Sequence, residues 1–184
     1  AKASRAPCSG GAEQLARMGP KATGQVAAMM VDGTPRHMPE LKFQDASGKT
    51  LTLAAPGGKT VLFNMWATWC APCRAEMPSL DTQKREMGSD KFEVVAVNVD
   101  TGDDTKPKKF LADTGVTSLG LYRDASMGVF NDLKTRGLAL GLPATMLVDG
   151  EGCLIAHMNG PAEWAGGDAR RLVQIPGSMP RLSA

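Results

Sequence analysis

Apolar and polar positions along this chain fall into blocks of different period, and the blocks predict an α/β order of elements. Residues 13–30 carry a helical spacing, with Leu15 and Met18 before Gly19-Pro20 and Val26, Met29 and Met30 after it. The Gly-Pro pair divides that stretch into one or two short helices. From Pro39 the period changes to that of strands. Leu41–Gln44 and Leu51–Leu53 flank Asp45-Ala46-Ser47-Gly48-Lys49, which predicts a hairpin with a glycine-containing loop. Val61-Leu62-Phe63-Asn64-Met65-Trp66 reads as a buried central strand. The helix expected after it, over 74–87, carries Met77, Leu80, Lys84 and Met87 on one face, a kink at Pro78 and a stop at Gly88. Phe92–Val99 is a second buried strand, and strand–helix–strand order implies a parallel pair. Helices are predicted over 103–114 and 127–133, with a short strand at 119–122 between them. A loop at Gly141-Leu142-Pro143 leads into a strand ending at Asp149, which Gly150-Glu151-Gly152 turns into an antiparallel partner, Cys153–Met158. The last helix is expected over 161–173, with Trp164 and Leu172 inward, and residues 175–184 are expected to fray. These elements divide the chain into an extension (1–36), one domain (37–176) and a tail (177–184).

Composition narrows the class. With 184 residues, 42% hydrophobic and 22% charged, the chain suits one globular domain with additions. A net charge of +2 gives no reason to expect a nucleic-acid or membrane-surface partner. No run of about eighteen apolar residues and no signal-peptide pattern is present. A start at Ala1 without Met reads as a mature or trimmed soluble part. The eleven methionines are scattered, which favours core filling over copper handling.

The chemistry centres on Trp66-Ala67-Thr68-Trp69-Cys70-Ala71-Pro72-Cys73, where a strand hands over to a helix. A helix N-terminus offers unpaired N–H groups and partial positive charge, and both favour a thiolate. The dipole contributes about 0.3–1 kcal/mol, up to about 2 where the site is partly buried, which at about 1.36 kcal/mol per unit lowers a thiol pKa by roughly one unit. Cys70 is therefore expected to be the exposed nucleophile, and Cys73, one turn in, the shielded resolving thiol of a dithiol–disulfide exchange. Half of a zinc site would use the same spacing, but Cys8 and Cys153 have no second Cys or His close by in sequence. Those two cysteines are either free buried thiols or a structural disulfide, with the bridge preferred. Glu76 is either a proton relay for Cys73 or a solvated helix glutamate favoured by the dipole. Pro143 is either a cis proline exposing the Leu142 backbone to an extended client or an ordinary trans turn proline. Trp69 with Ala71, Pro72 and Leu142 is expected to form the client-binding surface, while Trp66 belongs to the core. His37 and His157 are far from the cysteine pair in sequence and carry no evident ligand set, so neither metal nor cofactor is expected.

The run from Trp66 to Pro78 resembles the active-site signature of the TlpA/ResA/CcmG group of extracytoplasmic thioredoxin-like reductases. Val94–Thr101, Gly141-Leu142-Pro143, Leu147-Val148-Asp149, Gly152-Cys153, Gly160–Ala165 and the N-terminal segment with its lone cysteine extend the resemblance over almost the whole chain. It implies a thioredoxin-like fold, a central mixed sheet flanked by helices, with an N-terminal helical extension and an insertion around 101–122. It also implies that Pro143 is cis and that Cys8 and Cys153 are bridged. The protein it implies is a periplasmic reductant held by an N-terminal membrane anchor and fed electrons by a membrane thiol transporter. The implied clients are disulfides of a Sco-type copper chaperone and of the copper-binding subunit of cytochrome oxidase. Reduction of apocytochrome c thiols for haem attachment is the alternative within the same chemistry. A copper-binding module with Cys70 and Cys73 as soft ligands is the alternative outside it.

Overall fold

A computed structural model of the chain describes residue 8 and residues 17–53 and 58–177, with residues 25, 32–35 and 175–177 described by their backbone alone. Two 3-10 turns, Gly19–Lys21 and Gly24–Val26, precede the first strand. The strands are β1 (Met30–His37), β2 (Leu41–Gln44), β3 (Thr50–Leu53), β4 (Thr60–Trp66), β5 (Phe92–Asn98), β6 (Tyr122–Arg123), β7 (Ala144–Val148) and β8 (Cys153–Asn159). The helices are α1 (Ala71–Met87), α2 (Thr105–Thr114), α3 (Gly128–Thr135) and α4 (Gly167–Gly177). Among the described residues, all eight strands join one mixed sheet in the order β1-β8-β7-β4-β5-β6-β2-β3. β4 runs parallel to β5 and antiparallel to β7, so it lies at the centre with a neighbour on each side.

Every residue of β4 is buried, because helices cover both faces of the sheet. The period of two then sorts its side chains. Leu62 and Trp66 join the core formed with Cys73, Met77 and Leu80 of α1, Phe110 and Leu111 of α2, and Leu172 of α4. Val61, Phe63 and Met65 join the opposite core with Val129 and Leu133 of α3. Asn64 shares the parity of Leu62 and Trp66, so the pleat directs this polar side chain at α1.

Helix α1 continues through Pro78 rather than breaking there. Proline removes one N–H and leaves the Arg74 carbonyl without its usual donor, but Pro78 is on the exposed face, where water can replace it. At the end of α1, the Gly88 N–H donates to the Lys84 carbonyl at 2.8 Å. A β-carbon at Gly88 would lie 2.5 Å from that oxygen, so glycine is required there for close approach.

Three elements differ from the sequence expectation. Met30–His37, assigned to the helical extension as far as residue 36, is an edge strand on β8. The register shift between Val31 and Arg36 accommodates Pro35, and an edge strand needs no continuous apolar face. The strand expected at 119–122 is reduced to Tyr122–Arg123, because the Ser118 and Leu119 N–H groups donate to the Asp81 carboxylate instead. The last helix starts at Gly167 rather than 161, since the Ala162 N–H serves Glu76 and the Trp164 N–H serves Ser79. It then runs to Gly177, past the residue where fraying was expected. Residues 13–16 of the expected N-terminal helix and 178–184 of the tail lie outside the described residues. Met18, Val26 and Met29 are buried in the same core as α4, and Thr23 Oγ1 donates to Asp168 Oδ1 at 3.0 Å, so this part of the extension docks on the domain.

Candidate active site

The site lies beyond the carboxyl ends of β4 and β5. Trp66 ends β4, Thr68 and Trp69 make the turn, and Cys70 is the N-cap of α1, its sulfur accepting the Cys73 N–H at 3.3 Å. Pro72 occupies the first helical turn, where its missing N–H costs nothing. Asp100, just past β5, clamps the turn: its carboxylate accepts the Thr68 N–H at 2.8 Å, the Thr68 hydroxyl at 2.5 Å and Asn98 Nδ2 at 3.3 Å. Arg123 in turn donates to the Asp100 carbonyl at 2.8 Å. None of this clamp was read from the sequence; an acidic residue at the end of a parallel strand beside the Cys loop was the available signal.

Cys70 and Cys73 are joined in a disulfide, with Cα atoms 5.3 Å apart. Cys73 is fully buried, but Cys70 is only 5% exposed, which corrects the expectation of an exposed nucleophile. What the surface presents is the rim around it. Trp69 is 66% exposed, and Ala71 and Pro72 are exposed beside it. A cavity of about 540 Å³ opens next to Trp69, lined by Arg74, Asp100, Lys106, Lys109 and Phe110 among others. The Arg74 guanidinium lies 5.5 Å over the Phe110 ring.

Glu76 follows Cys73 by three residues, so the helical repeat turns both toward the sheet. It is buried, and it is not the solvated glutamate of the alternative reading. Its Oε1 accepts Asn64 Nδ2 at 2.9 Å; its Oε2 accepts Trp164 Nε1 at 2.9 Å and the Ala162 N–H at 3.1 Å. Asn64 Nδ2 also donates to Thr145 Oγ1, the residue paired with it across β4 and β7. Asn64 thus ties two side chains, Glu76 and Thr145, together. Burial penalises the carboxylate more than the three donors favour it, and the Glu76 pKa is pushed up to about 7.

The Leu142–Pro143 bond is cis. Met65 of β4 pairs with Ala144 of β7, so Pro143 stands at the same end of the sheet as the cysteines. Leu142 is half-buried, and Leu140, on the same loop, is 74% exposed. Cys8 and Cys153 are bonded to each other, with Cα atoms 6.0 Å apart, and so do not complete a four-cysteine zinc site with Cys70 and Cys73. His37, set aside from the sequence, lies with Nδ1 3.7 Å from the Cys153 sulfur, because β1 pairs it directly opposite Cys153.

The model of the AhpC/TSA family matches residues 35–157. Among curated proteins, the thiol:disulfide interchange protein HelX of Rhodobacter capsulatus is 40% identical over 107 residues, covering 56% of this chain and 54% of its own. The thiol-disulfide oxidoreductase ResA of Bacillus subtilis is 29% identical over 122 residues, covering 66% of this chain and 65% of its own. The matched segment thus spans about half to two thirds of the length of these relatives. Among solved structures, a thioredoxin family thiol:disulfide interchange protein from Chlorobium tepidum superposes with a TM-score of 0.64 at 24% identity, over 79% of this chain and 98% of its own. The α/β fold is therefore thioredoxin-like, as the resemblance implied.

Proposed function

The chain belongs to the AhpC/TSA family, and we propose that it is a protein thiol:disulfide oxidoreductase acting in the reducing direction. The observation that carries this reading is the Cys70–Cys73 pair at the start of α1 with a buried carboxyl one turn behind it. In the reduced protein the Cys70 thiolate, favoured by the Cys73 N–H and the helix dipole, attacks one sulfur of a client disulfide. The bond between client sulfurs breaks, and the first client thiolate leaves and takes a proton from water. Cys73 then loses its proton and attacks the Cys70 sulfur, which forms the Cys70–Cys73 disulfide and releases the second client thiolate. Two electrons have passed from the cysteine pair to the client.

Glu76 is the proposed acceptor for the Cys73 proton. A carboxyl that titrates near pH 7 is ionised in a useful fraction at neutral pH and remains basic enough to take a proton. Asn64, Trp164 and the Ala162 N–H hold it in place. Trp69, Ala71, Pro72 and Leu142 form the proposed client surface around the small exposed edge of Cys70.

The Cys8–Cys153 bridge supports an oxidising compartment, since stable disulfides persist there. With the sequence resemblance, it supports a periplasmic protein anchored by a segment outside this stretch and recharged by a membrane thiol transporter. The proposed clients are a Sco-type copper chaperone and the copper-binding subunit of cytochrome oxidase, whose metal sites need free thiols before copper enters. The test is reduction of these clients and of an apocytochrome c disulfide by the dithiol form, with rates compared. Faster reduction of the copper-site disulfides supports the assignment, and faster reduction of the apocytochrome replaces it. Tight copper binding without reduction of any client or of insulin overturns the enzyme reading.

A further inference from the structure

We propose that reduction of the Cys8–Cys153 bridge creates a site for a thiophilic, tetrahedrally coordinated cation such as Zn(II), with Cys8, Cys153 and His37 as protein ligands and water in the fourth position. The residues are 145 positions apart at their extremes, so no spacing rule reveals them. The fold brings them together. His37 and Cys153 are opposite each other on the antiparallel strands β1 and β8, so their side chains leave the same face. The donor atoms of Cys8, His37 and Cys153 all lie within 4.8 Å of one another, and Asp149, Glu151 and Cys153 form an overlapping group within the same limit.

The distances suit a metal tetrahedron. With zinc–sulfur bonds of about 2.3 Å and zinc–nitrogen bonds of about 2.0–2.1 Å, adjacent ligands are about 3.6 Å apart for S···N and about 3.8 Å for S···S. The S···N edge is already in place, His37 Nδ1 standing 3.7 Å from the Cys153 sulfur. The S···S edge must open, from a covalent bond to a nonbonded contact, and breaking that bond does so; the Cys8 sulfur, already within 4.8 Å of the His37 ring nitrogen, then settles against the ion. The Asp149 side chain is held by the turn it caps, Oδ1 accepting the Glu151 N–H at 2.9 Å and the Cys153 N–H at 3.0 Å. Asp149 thus borders the site beside Cys153, and water takes the fourth position on the cation. Cys153 is buried while Cys8 and His37 are half-buried, which leaves a path from solvent.

The reaction balances with a dithiol as reductant. Its two electrons and two protons pass to the bridge, giving two thiols, and the dithiol becomes a disulfide. Binding of the cation then forms two metal–sulfur bonds and releases the two thiol protons. The oxidised bridge offers no thiolate, so the site is switched off while the bridge is intact. The bound cation replaces the covalent link between Cys8 and β8 and protects both sulfurs from reoxidation.

The test uses the full chain carrying Cys70→Ser and Cys73→Ser, so that only Cys8 and Cys153 remain as sulfur ligands and the result is independent of the proposed enzyme activity. After phosphine reduction and removal of the reductant without air, Co(II) is titrated as a spectroscopic probe and then displaced by Zn(II). The expected result is one ion per chain, a thiolate-to-cobalt charge-transfer band and the visible bands of a tetrahedral ion, none of which the oxidised protein gives. His37→Ala should weaken Zn(II) binding at least about tenfold against a chelator, since loss of even an outer-shell partner of a ligand costs about 10–100-fold, and His37→Cys should restore it with a stronger charge-transfer band. A cobalt spectrum without the charge-transfer band in the reduced protein overturns the proposal. So does unchanged Zn(II) affinity in His37→Ala. Loss of the folded far-ultraviolet dichroism on reduction overturns it as well, since the site needs β1 and β8 to stay paired.

Discussion

Replacing Glu76 by glutamine changes the charge at the centre of the site and little of its shape. In the folded protein the carboxyl binds its proton near pH 7, against an ordinary value of 4.5, and the cause is burial. Between those two values the folded state holds more proton than the unfolded state, so stability falls as pH rises through that window. At about 1.36 kcal/mol per unit, the loss amounts to about 3 kcal/mol by pH ~8. Glutamine has no charge to desolvate. Its carbonyl can take the place of Oε2 and accept from Trp164 Nε1 and the Ala162 N–H. Its amide then faces Asn64, whose Oδ1 is buried and has no hydrogen-bond partner among the described residues. Rotation of the Asn64 amide brings that oxygen round to accept, and the Thr145 hydroxyl can turn to donate to it as well. Glu76→Gln should therefore unfold within about 1 kcal/mol of the parent at pH ~4.5 and be about 3 kcal/mol more stable at pH ~8. The assay is urea unfolding of the oxidised chain across that range, followed by tryptophan fluorescence. A difference between the two proteins that stays constant with pH, or a parent that gains stability as pH rises through the window, would refute the reasoning.

Four further outcomes follow from the same geometry. Trp164→Phe removes a donor that holds the Glu76 pKa down, so the midpoint of the stability–pH curve should move up by about one unit, read in the same unfolding series. Cys73→Ser should accumulate mixed disulfides on Cys70 that mass spectrometry of trapped clients identifies, whereas Cys70→Ser should accumulate none. Cys8→Ser, which removes a bridge across 145 residues, should lower stability by about 2–5 kcal/mol by denaturant titration, with the Cys70–Cys73 pair still able to reduce insulin. Gly88→Ala would set a β-carbon 2.5 Å from the Lys84 carbonyl and should cost about 1–3 kcal/mol, measured as a lowered melting temperature.

The central strand, the helix after it and the placement of the two cysteines between them were legible because each depends on short-range pattern. Seven consecutive buried residues in β4 and the Cys–Ala–Pro–Cys start of α1 keep their meaning in any context that buries the strand. The hairpin of β2 and β3 was legible for the same reason, its turn being capped by Asp45 Oδ1, which accepts the Ser47 and Lys49 N–H groups. Edges and ends were not. β1 carries a proline and a register shift, and the start of α4 is decided by the demand of Glu76 and Ser79 for the N–H groups of Ala162 and Trp164.

Local pattern by itself determined that a dithiol stands at a helix N-terminus and that a glutamate follows it one turn on. Tertiary structure alone decided what that glutamate is. Its three donors come from β4, from the loop before α4 and from Trp164 within that loop, and the packing that gathers them also excludes the water that would keep a carboxylate at its ordinary pKa. Likewise only the pairing of β1 with β8 sets His37 beside Cys153. Burial and contact between distant residues are properties of the closed chain, and no spacing along the open one carries them.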